Sequence, residues 1–524
     1  MLFLLLFGAF CSVLEYGRVL HLRPLPHHIW RQTIALSITR NYHDLHTGFL
    51  DTQVSNLYLD KGWSGKAAAE FPLLYFGVAK LWGLTGRSEF AYRLVMLVLH
   101  IGGAWALFAM LYALFRHMLL AAALALLYLS SPALVYFALA FMTEVPALDL
   151  VLLACLALVR HRRTGAPGWL VASALVFALA GLLKVTALMV PLALMCAQVA
   201  ELLLPKLAAR NGRLFERHGR LLLVLYAGAC LLVWAWYSYT MRYNTLHEGS
   251  FSNQEAQPPW RMPQWEVERA WDFATTLLPS MVHHWTVWVM MLAALAFLVW
   301  HRKRLPLGVL VLNTTLQGGT ALYTVLFFPA LNEHDYYFII PLVMPWCLIT
   351  SALWMLHRQR PAALLSRWGL AGLCGLSLLN MAYAREDHLM RTRVHGTVRS
   401  VGTFPLHDKR DLDYWQESQY WDLSGLLNIE PIARGIGISP QDTIICVPDP
   451  SVCAGLYLAG QRGWQNFGAV HLLKDSTSMA LYRSRGARYL YVLRPEWLQQ
   501  PYTRAFTQHL VLEHEGVRIY DLRP

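Results

Sequence analysis

Charged side chains are scarce in this chain: Asp, Glu, Lys and Arg make up 15% of its 524 residues, whereas 56% are hydrophobic. A composition so poor in charge excludes a purely soluble enzyme and reads as a polytopic membrane protein with room for one soluble domain. Acidic residues are the rarer sign, 32 against 44 lysines and arginines. The basic excess is explained by clusters that orient helices and touch anionic lipid, so no nucleic-acid partner is implied. Cysteine is nearly confined to apolar runs, where Cys11, Cys155, Cys196, Cys230, Cys347 and Cys374 read as small packed hydrophobes. Only Cys446 and Cys453 fall in the polar part, and a disulfide and two free thiols are both open there. Serine-nucleophile and Cys-His signatures are absent, and Gly435-Ile-Gly437 and Gly460-Gln-Arg-Gly463 miss the dinucleotide fingerprint. The pairs His27-His28 and His283-His284 are poor chelates by themselves, because adjacent residues project in different directions. No metal ligand set and no certain cofactor are assigned; a divalent metal stays open.

What the chain has is long apolar sequence. A bilayer core of ~30 Å needs roughly 20 mostly apolar residues per helix, and about eleven such runs occur, near 1–14, 91–115, 118–139, 146–159, 168–183, 185–203, 221–239, 285–300, 305–329, 338–356 and 368–384. The first lacks a basic n-region and a small-residue cleavage site, and is expected to be a retained helix. Basic clusters occupy every second gap: Arg160, Arg162 and Arg163; Lys206, Arg210, Arg213, Arg217 and Arg220; Arg302, Lys303 and Arg304; Arg358, Arg360 and Arg367. The positive-inside rule puts these in the cytoplasm. The remaining gaps and the carboxyl terminus then face outside.

The expected architecture is thus an α-helical membrane domain, residues 1–384, followed by an extracytoplasmic α/β domain, 385–524. The first outer loop is long. Its stretches Trp30 to Tyr42 and Phe71 to Trp82 suit short helices at the membrane surface. In the last domain Thr443 to Val447 and Ala487 to Leu493 read as strands, Ser451 to Ala459 as a helix, and Leu510 to Glu513 with Val517 to Asp521 as a hairpin.

Ionisable residues at the ends of apolar helices are costly and usually functional. Glu144 lies in a turn before Pro146, where the helix dipole alone would also favour it. Lys184 interrupts a run too long for one crossing, either as a snorkelling turn residue or as a ligand for an anionic head group. Arg93, at an outer helix end, runs against the positive-inside bias. A phosphate held by its guanidinium fork and a simple snorkelling arginine both account for it. His334, Asp335, Tyr336 and Tyr337 share a short outer turn and read either as polar site groups or as part of an aromatic belt.

These segments, in order, resemble a family. Trp30-Arg31-Gln32, Ala35, Thr39-Arg40-Asn41-Tyr42, Glu70-Phe71-Pro72-Leu73, Tyr92-Arg93-Leu94, Met142-Thr143-Glu144-Val145-Pro146, Gly181-Leu-Leu-Lys184 and His334-Asp-Tyr-Tyr337 resemble bacterial membrane glycosyltransferases of the protein mannosyltransferase and aminoarabinose transferase type. Leu456-Tyr457 to Gly463-Trp464 resembles the soluble domain of such proteins. The resemblance implies the C-type glycosyltransferase fold. It also implies inverting transfer of a sugar from a polyprenyl-phosphate carrier to an envelope glycan, lipid or protein acceptor, outside the bacterial inner membrane. It implies Glu144 as the second-loop acid, a phosphate contact for Arg93, and supporting roles for Lys184 and His334. The acidic residue that family members usually carry near Trp30 to Ala35 is missing here. Glu70 is the preferred substitute, with Asp44, Asp51 and Asp60 as the other first-loop carboxylates. Trp30, Arg31, Gln32, Tyr336 and Tyr337 then join the expected substrate contacts. The rival readings are a lipid-linked glycan transporter or flippase, disfavoured by the lack of comparable halves, and a non-catalytic lipid-glycan binding scaffold.

Overall fold

The structure, a computed structural model, describes residues 2–60, 64–215, 217–247, 256–393, 406–407, 423–466 and 476–523. Helices occupy the apolar runs. Four stretches, Glu89–Phe115, Val185–Leu203, Gly219–Leu246 and Ile340–Gln359, are long and apolar enough to cross a membrane. The outward faces of the helical body leave Val98, Leu175, Leu231, Trp234 and Leu292 exposed, each by 60% or more, as lipid-facing side chains would be. The run at 118–139 is not one helix. Met118–Leu129 ends at Ser130, and Ser131 starts Pro132–Phe137 by accepting the Leu134 amide, with Pro132 in the first turn. Lys184, in extended backbone, likewise ends Pro167–Leu183 before the next helix begins. The last apolar helix, Arg367–Arg393, continues past residue 384.

The basic gaps gather at one end of the bundle. Arg162 donates to the Arg213 carbonyl, Arg163 to that of Ala113, and Asn211 to those of Lys303 and Leu305. Glu70, Glu144, Lys184 and the 334–337 turn collect at the other. The loop helix Ile29–Asp44 differs from the expected surface helix: it is buried without interruption from Gln32 to Tyr42. A helix buried all round is a core element; this one packs on Leu73–Thr85 and beneath the soluble domain.

That domain is a five-stranded sheet in the order β2-β1-β3-β5-β4, formed by β1 Thr443–Val447, β2 Arg462–Gln465, β3 Ala487–Val492, β4 Leu510–His514 and β5 Val517–Asp521. β2, β1 and β3 are parallel, and β5 and β4 complete the sheet antiparallel. The expected helix at 451–459 is shorter, Ala454–Leu458. Cys446 and Cys453 are buried free thiols.

β2 escaped the sequence reading because it is short and carries Gly463 and Gln465 in place of an apolar alternation. Its glycine is required: a Cβ there would lie 1.8 Å from the Ile444 carbonyl oxygen. The Gly463 amide donates to the Ser55 carbonyl at 3.0 Å, so the first loop continues the edge of the sheet. Asn56 donating to the Val452 carbonyl (2.8 Å), Arg462 to that of Ser64 (2.6 Å) and Tyr457 to Glu89 (2.8 Å) fasten the same seam.

Candidate active site

The Glu70 loop is held from three sides. Phe71 donates its amide to the Leu182 carbonyl (3.0 Å), Trp236 its indole to Ala69 (3.1 Å), and Asn244 brackets the Ala68 amide and carbonyl at 2.9 and 2.8 Å. The first bond sets the loop against the end of Pro167–Leu183, and therefore beside Lys184. Arg31, in the first turn of Ile29–Asp44, forms an ion pair with Glu70. Lys184 donates to Glu144 at 2.7 Å, and its ammonium stands 4.8 Å from the Tyr337 ring centre and 5.8 Å from that of Tyr336. Glu144 is almost wholly buried, and among the described residues its second oxygen, Oε2, has no hydrogen-bond partner.

Arg31, Glu70, Lys184, Tyr336 and Tyr337 form the polar end of a cavity of about 880 Å³. The rest of its wall is mainly apolar, from Val185, Met189 and Leu192 on one helix, Leu322, Tyr323 and Leu326 on another and Phe327 just past its end, with Val452 contributed by the sheet domain. The volume is that of a site for a sizeable organic ligand. Two cations balance two carboxylates at the polar end, so an incoming anion competes with Glu70 and Glu144 for the same partners.

Several expected site residues stand elsewhere. Arg93 is fully buried and does not line the cavity: it donates to the carbonyls of Leu139, Leu22 and Arg23 and lies 4.2 Å from the Phe141 ring centre. Those carbonyls belong to non-helical backbone and need donors inside the fold. Asp44 binds Arg40 at 3.0 Å and His43 at 2.7 Å, away from the cavity. Asp51 accepts from Tyr243, and Asp60 caps the amides of Ser64 and Gly65. Gln32 is buried and braces the turn before its helix, bonding both Leu25 backbone groups and the His27 carbonyl. Trp30 is 46% exposed. His334 donates from Nδ1 to the Asn332 carbonyl of its own turn and lies outside the cavity lining.

The sequence reading took the adjacent His27 and His28 as a pair whose side chains diverge, and in the structure their rings converge. His28 takes left-handed backbone (φ 55°, ψ 37°) as the residue before the helix, which swings its ring against that of His27, centres 3.9 Å apart. Both Nε2 atoms face Asp335 Oδ1, at 3.1 and 3.2 Å, while Arg391 donates to Oδ2 at 2.7 Å. Burial, with the His28 ring alongside, pushes His27 down to about 3. Burial would raise Asp335, but His27 and Arg391 outweigh it and hold the carboxyl well below its usual range. Arg391 was not anticipated; only its place near the end of an apolar helix marked it.

Residues 71–237 match the family of dolichyl-phosphate-mannose-protein mannosyltransferases. No curated sequence matches the chain with significance. Among solved structures it is similar to ArnT from Cupriavidus metallidurans bound to undecaprenyl phosphate, with a TM-score of 0.57 at 13% identity over 99% of this chain and 98% of that one. The apo form of the same protein gives 0.53 at 12% identity, with the same coverage. The mycobacterial arabinofuranosyltransferase AftD gives 0.50 at 13% identity over 99% of this chain and 42% of that one. The chain as a whole has the C-type glycosyltransferase fold, and within it residues 71–237 carry the sequence pattern of the dolichyl-phosphate-mannose-protein mannosyltransferase family.

Proposed function

We propose that this protein is an inverting glycosyltransferase that moves a sugar from a polyprenyl-phosphate carrier to a cell-envelope acceptor (lipid A, polysaccharide or protein) on the outer face of the bacterial cytoplasmic membrane. The observation that carries the reading is the cavity: an apolar wall suited to a prenyl chain, ending in Arg31, Lys184, Glu70 and two tyrosines. ArnT, whose fold this chain shares, has been crystallised with undecaprenyl phosphate.

The acceptor oxygen attacks the anomeric carbon and the carrier phosphate leaves with the bonding electron pair. The leaving group's charge needs cations in place before reaction; Arg31 and Lys184 supply them. The acceptor hydroxyl needs a base within hydrogen-bond reach. Glu70 takes that role, because it lines the cavity and Glu144 does not. The two roles are coupled, since a phosphate that draws Arg31 away leaves Glu70 free to accept a proton. Glu144 holds Lys184 in place.

Purified protein supplied with polyprenyl-phosphate sugars and a panel of envelope acceptors tests this. Transfer is expected in the wild type, with Glu70→Gln and Arg31→Ala strongly impaired. Full turnover in Glu70→Gln overturns the base assignment. Tight binding of polyprenyl phosphate with no transfer across a broad donor panel establishes the scaffold reading instead.

A further inference from the structure

We propose that His27, His28 and Asp335 form a binding site for a divalent transition metal, zinc by donor type, that clamps the first outer loop to the 334–338 turn. One ligand atom from each of the three lies within 4.8 Å of the others, and the three side chains are buried or nearly so. Two imidazoles and one carboxylate are a common zinc donor set, and three protein ligands leave a position open. At zinc–ligand distances of about 2.0–2.1 Å, neighbouring donors of a tetrahedron stand roughly 3.3 Å apart. The two Nε2 to Oδ1 separations, 3.1 and 3.2 Å, are close to that spacing.

The surroundings are those of a supported ligand set. The Asp335 oxygen that faces away from the histidines is fixed by Arg391, which Asp387 holds in turn at 2.7 Å. A ligating carboxylate is commonly anchored in this way through its other oxygen. The left-handed backbone at His28 supplies what two adjacent histidines otherwise lack, convergence on one point. Such backbone in a non-glycine residue carries strain that a functional contact can offset.

The consequence lies in the cavity next door. Arg31 follows His28 by one helical turn and Tyr336 follows Asp335 directly, and both line the cavity. A bound ion therefore fixes the spacing of two groups at its polar end without touching the reacting atoms. This inference does not depend on the transferase reading, and metal binding is measured without turnover.

The test uses the tag-free full-length protein in detergent, stripped with chelator and dialysed against zinc or cobalt(II). Elemental analysis is expected to find about one zinc per chain, and cobalt to give the intense visible bands of a four- or five-coordinate site. His28→Ala and Asp335→Asn are expected to bind at least about tenfold more weakly, and the exposed control His509→Ala to retain the ion. Should Asp335→Asn fail to fold, His28→Ala decides, because it leaves the Asp335–Arg391 pair intact. Metal well below one per chain in folded wild type, silent cobalt spectra, or equal loading of His28→Ala each overturn the proposal, and the three side chains then form only hydrogen bonds.

Discussion

Replacing Lys184 by methionine removes the ion-pair partner of a carboxylate that is 1% exposed. At a 2.7 Å separation and an effective dielectric constant of ~20, the attraction within the pair is about 6 kcal/mol. Desolvating the two ions costs several kcal/mol each, so the intact pair contributes little net stability. The uncompensated carboxylate left by truncation is a different matter and costs ~3–5 kcal/mol. Lys184→Met alone is therefore expected to destabilise the protein strongly. Glu144→Gln alone costs less, because Lys184 is 12% exposed and retains the cavity and two tyrosine faces. The double variant recovers most of the loss, giving a coupling energy of roughly 2–3 kcal/mol. Denaturant titration of the four proteins in one detergent measures this, and binding of polyprenyl phosphate to the same samples separates stability from ligand recognition. Lys184→Met and the double variant are expected to bind the lipid phosphate at least tenfold more weakly, while Glu144→Gln binds nearly as the wild type does. A Lys184→Met cost below ~1 kcal/mol, or a double variant as unstable as the sum of the singles, refutes the buried-pair argument. Restored lipid affinity in the double variant refutes the phosphate role of Lys184.

Arg93→Leu is expected to destabilise the fold by ~3–5 kcal/mol, because three carbonyls lose a donor, while the affinity of the folded fraction for polyprenyl phosphate stays unchanged; a selective loss of that affinity contradicts its placement. Glu70→Gln is expected to lower turnover by ~10²–10⁴ with lipid-phosphate binding preserved, read by transfer assay and direct binding. Glu430 pairs with Arg87 across the domain seam. Burial would raise Glu430, but Arg87 outweighs it and depresses the carboxyl. Its contribution is then complete above the ordinary glutamate value of ~4.3 and lost as pH falls through the lower folded value. The stability gap between wild type and Glu430→Gln should therefore hold at neutral pH and close in acid, as measured by denaturation across pH. Gly463→Ala should loosen β2 from β1 and from Ser55, seen as earlier proteolysis of the soluble domain, since its Cβ has 1.8 Å to the Ile444 oxygen.

Much of the bundle is legible in the chain, because a long apolar run has few alternatives to a helix, and Ser131-Pro132 and Lys184 end helices for local reasons that the sequence displays. The gathering of the basic gaps at one end was equally readable, since alternation forces it on any up-and-down bundle. Residues of one site drawn from distant segments were harder. Nothing local to Arg31 or Glu70 says that they meet; the bonds that carry Glu70 there come from Phe71 to Leu182, Trp236 to Ala69 and Asn244 to Ala68. The helix from Ile29 to Asp44 misled for a related reason. Its polar side chains, among them Gln32, Thr33, Asn41 and Arg40, are partnered inside the protein, so polarity did not mean exposure.

The two arginines show where sequence reasoning ends. Arg31 and Arg93 both stand near the starts of their helices. What separates them is the backbone each one faces. Arg93 meets non-helical backbone at Leu22, Arg23 and Leu139, and its two terminal nitrogens donate to their carbonyls. Arg31 faces a carboxylate at the mouth of an apolar cavity, a partner that a phosphate can replace at little cost because one anion is exchanged for another. A charge bound to backbone is part of the scaffold, whereas a charge bound to an exchangeable carboxylate is available to a ligand. That difference, rather than position along the chain, is the ground for proposing Arg31 and Lys184 as the lipid-phosphate contacts.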